Sequence, residues 1–243
     1  MSPSNESAHH FGKYIGAARL KTDRPNRIGA RSRAPPLNKK QSAIYQEATR
    51  RGIDTLMHFT PAPNLPSILM HGLLSIQDLQ NKGMAYLRTD QMRLEGRPGA
   101  VSLSVHSINE SMFAAKRSEY RLEWAIVAID ASVLWTHRCE FSWQNAARAS
   151  IRGHHGYRGG PWAFREMFED RPMGIRDPRS TRETLRREER QPTDNAAEVQ
   201  VLDPIHPDLI RAVAVGNETV QALLGTAMRE IGRSRPILVD PHL

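Results

Sequence analysis

The chain has 243 residues, 39% of them hydrophobic, which suffices for one domain with a sizeable core or two small ones. A single cysteine, Cys139, excludes an internal disulfide and a cysteine metal cluster, and no run of 18 apolar residues is present to cross a bilayer. The formal charge of +8 is concentrated at one end: residues 1–50 hold ten Lys/Arg against three Asp/Glu, so the remainder is nearly neutral.

Residues 1–38 are polar, Arg-rich and broken by Pro25, Pro35 and Pro36. They are expected to form a disordered basic arm, either drawing phosphates without sequence preference or simply solvated. The opening MSPSNESAHHFGKY lacks the apolar centre of a signal peptide, so a soluble, cytoplasmic protein is expected. The folded domain is expected over 39–243. A helix from Lys40 to Arg50 stops at Gly52, and Thr55–Phe59 reads as a short buried strand. Asn64 is expected to cap a helix over Leu65–His71 that Gly72 ends, and 73–99 reads as loop. The alternating AVSLSV at 100–105 is a strand, and Ser107 or Asn109 caps a helix to Glu119. WAIVAID at 124–130 is a continuous apolar run, the pattern of a central strand. A short helix is expected over Asn145–Ile151, then a long Gly-, Pro- and charge-rich segment over 152–196 of the kind that is usually functional or mobile. Strands at Glu198–Leu202 and Ile210–Val215, an amphipathic helix at Asn217–Ile231 and a strand at Ile237–Val239 complete the chain. Short strands with irregularly interspersed helices predict an α+β fold.

Several residues carry candidate chemistry. Alternation puts His58 and Thr60 on one face of the first strand, and Ser102 and Ser104 on one face of the second. The first pair suits hydrogen bonding to a sugar hydroxyl or an amide, the second the ordering of a carboxylate or a ligand, and either pair fits an ordinary structural role. Glu198 follows the long polar segment and opens a strand, which suits a carboxylate acting on a bound substrate. His154 and His155 lack a third fixed ligand, so no metal is expected, and Cys139 reads as a structural thiol. The arginines of 176–190 alternate with acids and fit either an ion-paired face or phosphate contacts.

In order along the chain, RGIDTLMHFTPAPNLPSILMHGLLS (51–75), RLEGRPGAVSLSVHSINESMFAAKR (93–117), WAIVAIDASVLW with FSWQNAA (124–147) and AAEVQVLDPIHPDLI (196–210) resemble four blocks of the DarT family. Residues 152–196 match poorly, and Ser107-Ile108-Asn109 stands where the family often has Phe-Pro-Asn. The resemblance implies an ADP-ribosyltransferase fold of two small packed sheets enclosing an NAD⁺ cleft. It implies a toxin that transfers ADP-ribose from NAD⁺ to thymidine or guanine of single-stranded DNA, with a macrodomain antitoxin like DarG as partner. By the same likeness Glu198 is the catalytic carboxylate, and Arg93, the second catalytic residue, lies near the pyrophosphate. His58, Thr60, Asn64, Ser102 and Ser104 contact the dinucleotide, and Met112 and Phe113 form the cleft wall. Arg117, Asn145, Arg186 and Arg187 are candidates for DNA contact. NAD⁺ enters as substrate, without metal or membrane, and a monomer is expected. The competing readings are transfer to RNA or protein, and a catalytically silent nucleic-acid-binding module.

Overall fold

The computed structural model describes residues 36–89, 96–174, 177–230, 232 and 235–243, with side chains omitted over 173–179. The basic arm up to residue 35 and Arg93 fall outside the described residues.

In chain order the elements are α1 (Lys39–Arg51), β1 (Thr55–Pro61), a 3₁₀ turn (Ala62–Asn64), α2 (Leu65–His71), α3 (Ile76–Asn81), β2 (Val101–Val105) and α4 (Glu110–Glu119). There follow β3 (Trp124–Asp130), α5 (Val133–Thr136), β4 (Cys139–Ser142), α6 (Ala149–Arg152), α7 (Pro161–Glu166), β5 (Pro172–Gly174), β6 (Asp177–Ser180) and α8 (Thr181–Thr184). The last are β7 (Glu198–Val201), a 3₁₀ turn (Pro207–Leu209), β8 (Ile210–Val215), α9 (Glu218–Glu230) and β9 (Ile237–Val239).

Local chemistry accounts for the element ends. α1 starts with a capping box, in which Asn38 accepts from the Gln41 amide at 3.0 Å and Gln41 returns the bond at 2.9 Å. It ends at Gly52, whose φ of 69° is left-handed. Asn109, not Ser107, caps α4, accepting from the Met112 amide at 3.2 Å. Asn64 does not cap α2 as expected: it belongs to the preceding 3₁₀ turn and its side chain is committed elsewhere. Within the segment read as loop, α3 forms behind Ser75, which accepts from the Asp78 amide.

The main sheet runs β4-β7-β2-β1-β3-β8-β9, antiparallel except for β8 with β9. β3 is buried on both faces. Ala125, Val127 and Ile129 enter the larger core, while Trp124, Ile126 and Ala128 enter a second cluster with Phe113 and Met57. Such two-sided burial is why its sequence reads as an unbroken apolar run. The two sheets anticipated from the resemblance are the halves of this order, β4-β7-β2 and β1-β3-β8-β9. They meet at a seam of two residue pairs, Leu56 with Val105 and Met57 with Ser104.

Candidate active site

Past that seam the strands part. β1 continues along β3 for its whole length, and β2 continues along β7 through Val101–Leu103. A cleft of about 610 Å³ opens between them, a volume suited to a small-molecule cofactor. His58, Thr60, Ser102, Ser104, Asn145 and Glu198 all line it. The His58 ring bridges the gap, with Nδ1 3.0 Å from the Ser102 carbonyl oxygen. A carbonyl only accepts, so Nδ1 carries the proton, and the ring orientation is fixed by the parting of the strands.

Glu198 is the first residue of β7, opposite Ser142 of β4. Its carboxylate accepts from the Asn145 side-chain nitrogen at 2.7 Å and from the Ala146 amide at 3.4 Å. Asn145 is itself fixed, because its side-chain oxygen accepts from the Ala147 amide at 2.9 Å. The carboxylate is therefore oriented by a turn that begins directly after β4. Asn145, expected at the DNA, donates to Glu198 and so orients the carboxylate.

Asn64 is also committed to the protein. Its amide nitrogen donates to the Thr60 hydroxyl and to the Leu87 carbonyl, both at 3.0 Å, while its oxygen accepts from the Leu87 amide at 2.8 Å. Leu87 belongs to a stretch without regular structure, Ala85–Thr89, which forms one wall of the cleft. On the other side Lys116 of α4 donates to the Thr89 carbonyl at 2.8 Å. Two side chains thus tie this wall in place. Sequence reading missed it, because nothing local marks a polar loop as a wall.

Other expected residues lie apart. Met112 lines the cleft, but Phe113 packs against Phe59 and Trp124 in the second core cluster. Arg117 lies over the Phe113 ring and donates to the His242 carbonyl. Arg186 is exposed with a left-handed φ of 50°. Arg187 is half-buried, and loss of water around its guanidinium pulls its pKa down against the attraction of Asp194. Neither borders the cleft, whereas Arg88, Lys116 and Arg148 do. His154 stacks edge-on against Trp143, and among the described residues no cluster of His, Cys, Asp and Glu could hold a metal ion. Cys139 is buried, with its thiol pushed up to about 12 by desolvation. No described helix is long and apolar enough to cross a membrane.

The sequence model of an ADP-ribosyltransferase family matches residues 57–243, the segment that builds the sheet and cleft. The fold and cleft are those of an NAD⁺-dependent ADP-ribosyltransferase. The family is DarT, described as ssDNA thymidine ADP-ribosyltransferase, and this chain belongs to it. Among solved structures, Thermosipho africanus DarTG in complex with ADP-ribose is 15% identical with a TM-score of 0.47; the match covers 78% of this chain and 50% of that one. Thermus sp. 2.9 DarT in complex with ADP-ribosylated ssDNA is 16% identical with a TM-score of 0.49, covering 77% of this chain and 94% of that one. The same Thermus protein in complex with NAD⁺ is 14% identical with a TM-score of 0.48, over 76% and 94%. No curated protein matches.

Proposed function

We propose that the chain is a toxin that transfers ADP-ribose from NAD⁺ to thymidine in single-stranded DNA, releasing nicotinamide, and that Glu198 is its catalytic carboxylate. Cleaving the nicotinamide–ribose bond leaves positive charge on the anomeric carbon, in a transition state like that of glycoside hydrolysis. A carboxylate beside that carbon stabilises the developing cation far more than it stabilises ground-state NAD⁺. It can also take the proton displaced when the acceptor base attacks. The observation that carries this reading is Glu198 itself, lining the cleft with its carboxylate held at 2.7 Å by Asn145.

In this reading His58, Thr60, Ser102 and Ser104 orient the dinucleotide, and Asn64 acts through the wall it holds. Arg93 pairs with the pyrophosphate through its planar fork. Residues 39–243 form the transferase domain, and 1–38 add a basic arm with non-specific phosphate attraction. Among the described arginines and lysines, Arg88, Lys116 and Arg148 border the cleft and suit phosphate contact better than Arg117. The protein works in the cytoplasm, where a macrodomain antitoxin removes the modification.

The test is a mass-shift assay. DNA and RNA oligonucleotides are incubated separately with the protein and NAD⁺. A gain of one ADP-ribose on thymidine-containing DNA alone is expected. Modification of RNA alone, or of the protein alone, would assign a different acceptor, and nicotinamide release from neither would leave a binding module.

A further inference from the structure

The Gly-rich stretch 152–162, RGHHGYRGGPW, is not accounted for by the cleft. It is fastened firmly. The Phe141 amide donates to the Arg158 carbonyl at 2.9 Å, extending the β4 edge. The Arg158 guanidinium donates to Ser142 at 2.9 Å and to Glu140 at 2.7 Å, with both partners of the ion pair largely buried. Phe141 is in register with Val199, and Ser142 with Glu198. The fastened segment therefore lies about two strand spacings, roughly 10 Å, from the start of β7.

This rigid segment presents two large aromatic rings to solvent. Tyr157 is 72% exposed and Trp162 is 75% exposed. The Tyr157 ring is seated against Gly159 and Gly160: a Cβ at Gly159 would lie 2.7 Å from its hydroxyl, and one at Gly160 would lie 3.3 Å from its ring. The glycines are thus the space the ring occupies. Trp162 follows two residues later, in the first turn of α7. An exposed ring on a mobile tip calls for no explanation. Two of them, held by a buried ion pair and a glycine seat, do.

The charge around them is cationic. The Lys40 ammonium stands 5.1 Å from the Tyr157 ring centroid. Arg165 follows Trp162 on α7, half-exposed, with its guanidinium 3.7 Å from the Glu47 carboxylate. The neighbouring carboxylates are each shared among more than one cation or held by one: Glu140 by Arg158 and Arg97, Glu47 by Arg50, Arg51 and, more distantly, Arg165, and Glu166 by Arg171. Flat aromatic faces flanked by cationic side chains, one of them a lysine beside the ring itself, are the recognition chemistry of single-stranded nucleic acid, whose bases stack while its phosphates meet the charges.

We infer that Tyr157 and Trp162 form a stacking platform for bases of single-stranded DNA flanking the nucleotide that sits at Glu198. The inference rests on the acceptor proposed above. It predicts that a strand long enough to reach from the cleft across the β4 edge binds better than a short one, and that the two rings supply the difference.

The experiment uses the full chain carrying Glu198→Gln to prevent turnover, with fluorescein-labelled oligothymidylates of four and twelve nucleotides. Anisotropy gives Kd for each. Trp162→Ala and Tyr157→Ala are each expected to weaken the twelve-mer about tenfold, the usual scale of one lost base stack, with the four-mer little changed. Trp162→Phe should restore part of the loss. The slope of log Kd against log salt should stay constant in the aromatic variants and flatten by about one for Lys40→Ala. NAD⁺ affinity serves as the check on folding. A double variant that still prefers the twelve-mer overturns the inference. So does a loss that tracks dissociation of a dimer in sedimentation, which assigns the surface to a second copy. Failure of the acceptor reading is seen separately, as no mass gain on DNA with the unsubstituted protein.

Discussion

The Asn145 side-chain nitrogen lies 2.7 Å from a Glu198 carboxylate oxygen, across 53 residues of chain. This bond fixes where negative charge stands at the cleft, so the first prediction concerns that charge. Glu198→Gln keeps the shape and removes the charge. It should lower kcat by about 10²–10³ while leaving NAD⁺ affinity close to normal, because the carboxylate acts mainly on the transition state. Single-turnover transfer to an oligonucleotide, paired with calorimetry, measures both quantities. Near-normal turnover would falsify the assignment.

Asn145 tests the orientation of that charge. Asn145→Ala removes one charge-assisted hydrogen bond and should cost about tenfold in kcat. Asn145→Asp places a second carboxylate within bonding distance of Glu198, so the two cannot both ionise freely and the upper pKa of the pair rises. Activity that needs ionised Glu198 is lost as pH falls through that raised value. The acid limb of the rate profile should therefore move up by about one unit or more. An unmoved limb would mean that the two groups do not interact in solution.

Asn64 should act through the wall it holds. Asn64→Ala frees Leu87 on both its amide and its carbonyl, and should raise the KM for NAD⁺ about tenfold with a smaller change in kcat. Asn64→Asp keeps an acceptor for the Leu87 amide but sets a carboxylate against the Leu87 carbonyl, so it should not rescue. Steady-state kinetics in varied NAD⁺ distinguish this from a direct role in the chemical step, which would lower kcat instead.

Gly72 has φ 86° and ψ −174°, a region that side chains resist, and a Cβ there would lie 2.0 Å from the Ile205 carbonyl oxygen. Gly72→Ala should destabilise the fold by at least about 1–3 kcal/mol. That corresponds to a fall in Tm of several degrees, at about 2–4 °C per kcal/mol for a chain of this size. Calorimetric melting showing no loss would remove the close approach of Gly72 to Ile205.

Burial sets the reactivity of Cys139. With its thiol pushed up to about 12, almost no thiolate exists at pH 8. Iodoacetamide should label the native protein very slowly at that pH and the denatured protein readily. Intact mass after timed labelling provides the comparison.

Sequence pattern reached some parts of this structure and not others. β3 and β8 announce themselves because all but one residue of each is buried, and β2 because its faces alternate. β4 escaped notice: its four residues, Cys139–Ser142, form a strand only because β7 arrives beside them from nearly 60 positions on. The same non-locality hid the partnership of Asn145 with Glu198. Asn64 misled for a different reason: an asparagine before a helix is a good cap, but here the Leu87 backbone offers its amide two bonds at once. The resemblance to DarT supplied the chemistry that spacing alone left open. It did not supply the Ala85–Thr89 wall, which rests on contacts between distant segments.

The seam of two residue pairs gives the molecule the mechanics of a clothes-peg. Leu56 of one jaw and Leu103, Val105 and Val199 of the other are sunk in a shared core, which acts as the spring. Beyond it, among the described residues, the jaws share no ladder, and His58 spans from one to the other at Ser102. The gape is consequently set by packing at the spring, where Leu56, Val105 and Val199 lie behind the residues that line the cleft. Shaving a methyl group there would alter the angle between His58 and Glu198 while leaving every residue of the cleft in the sequence.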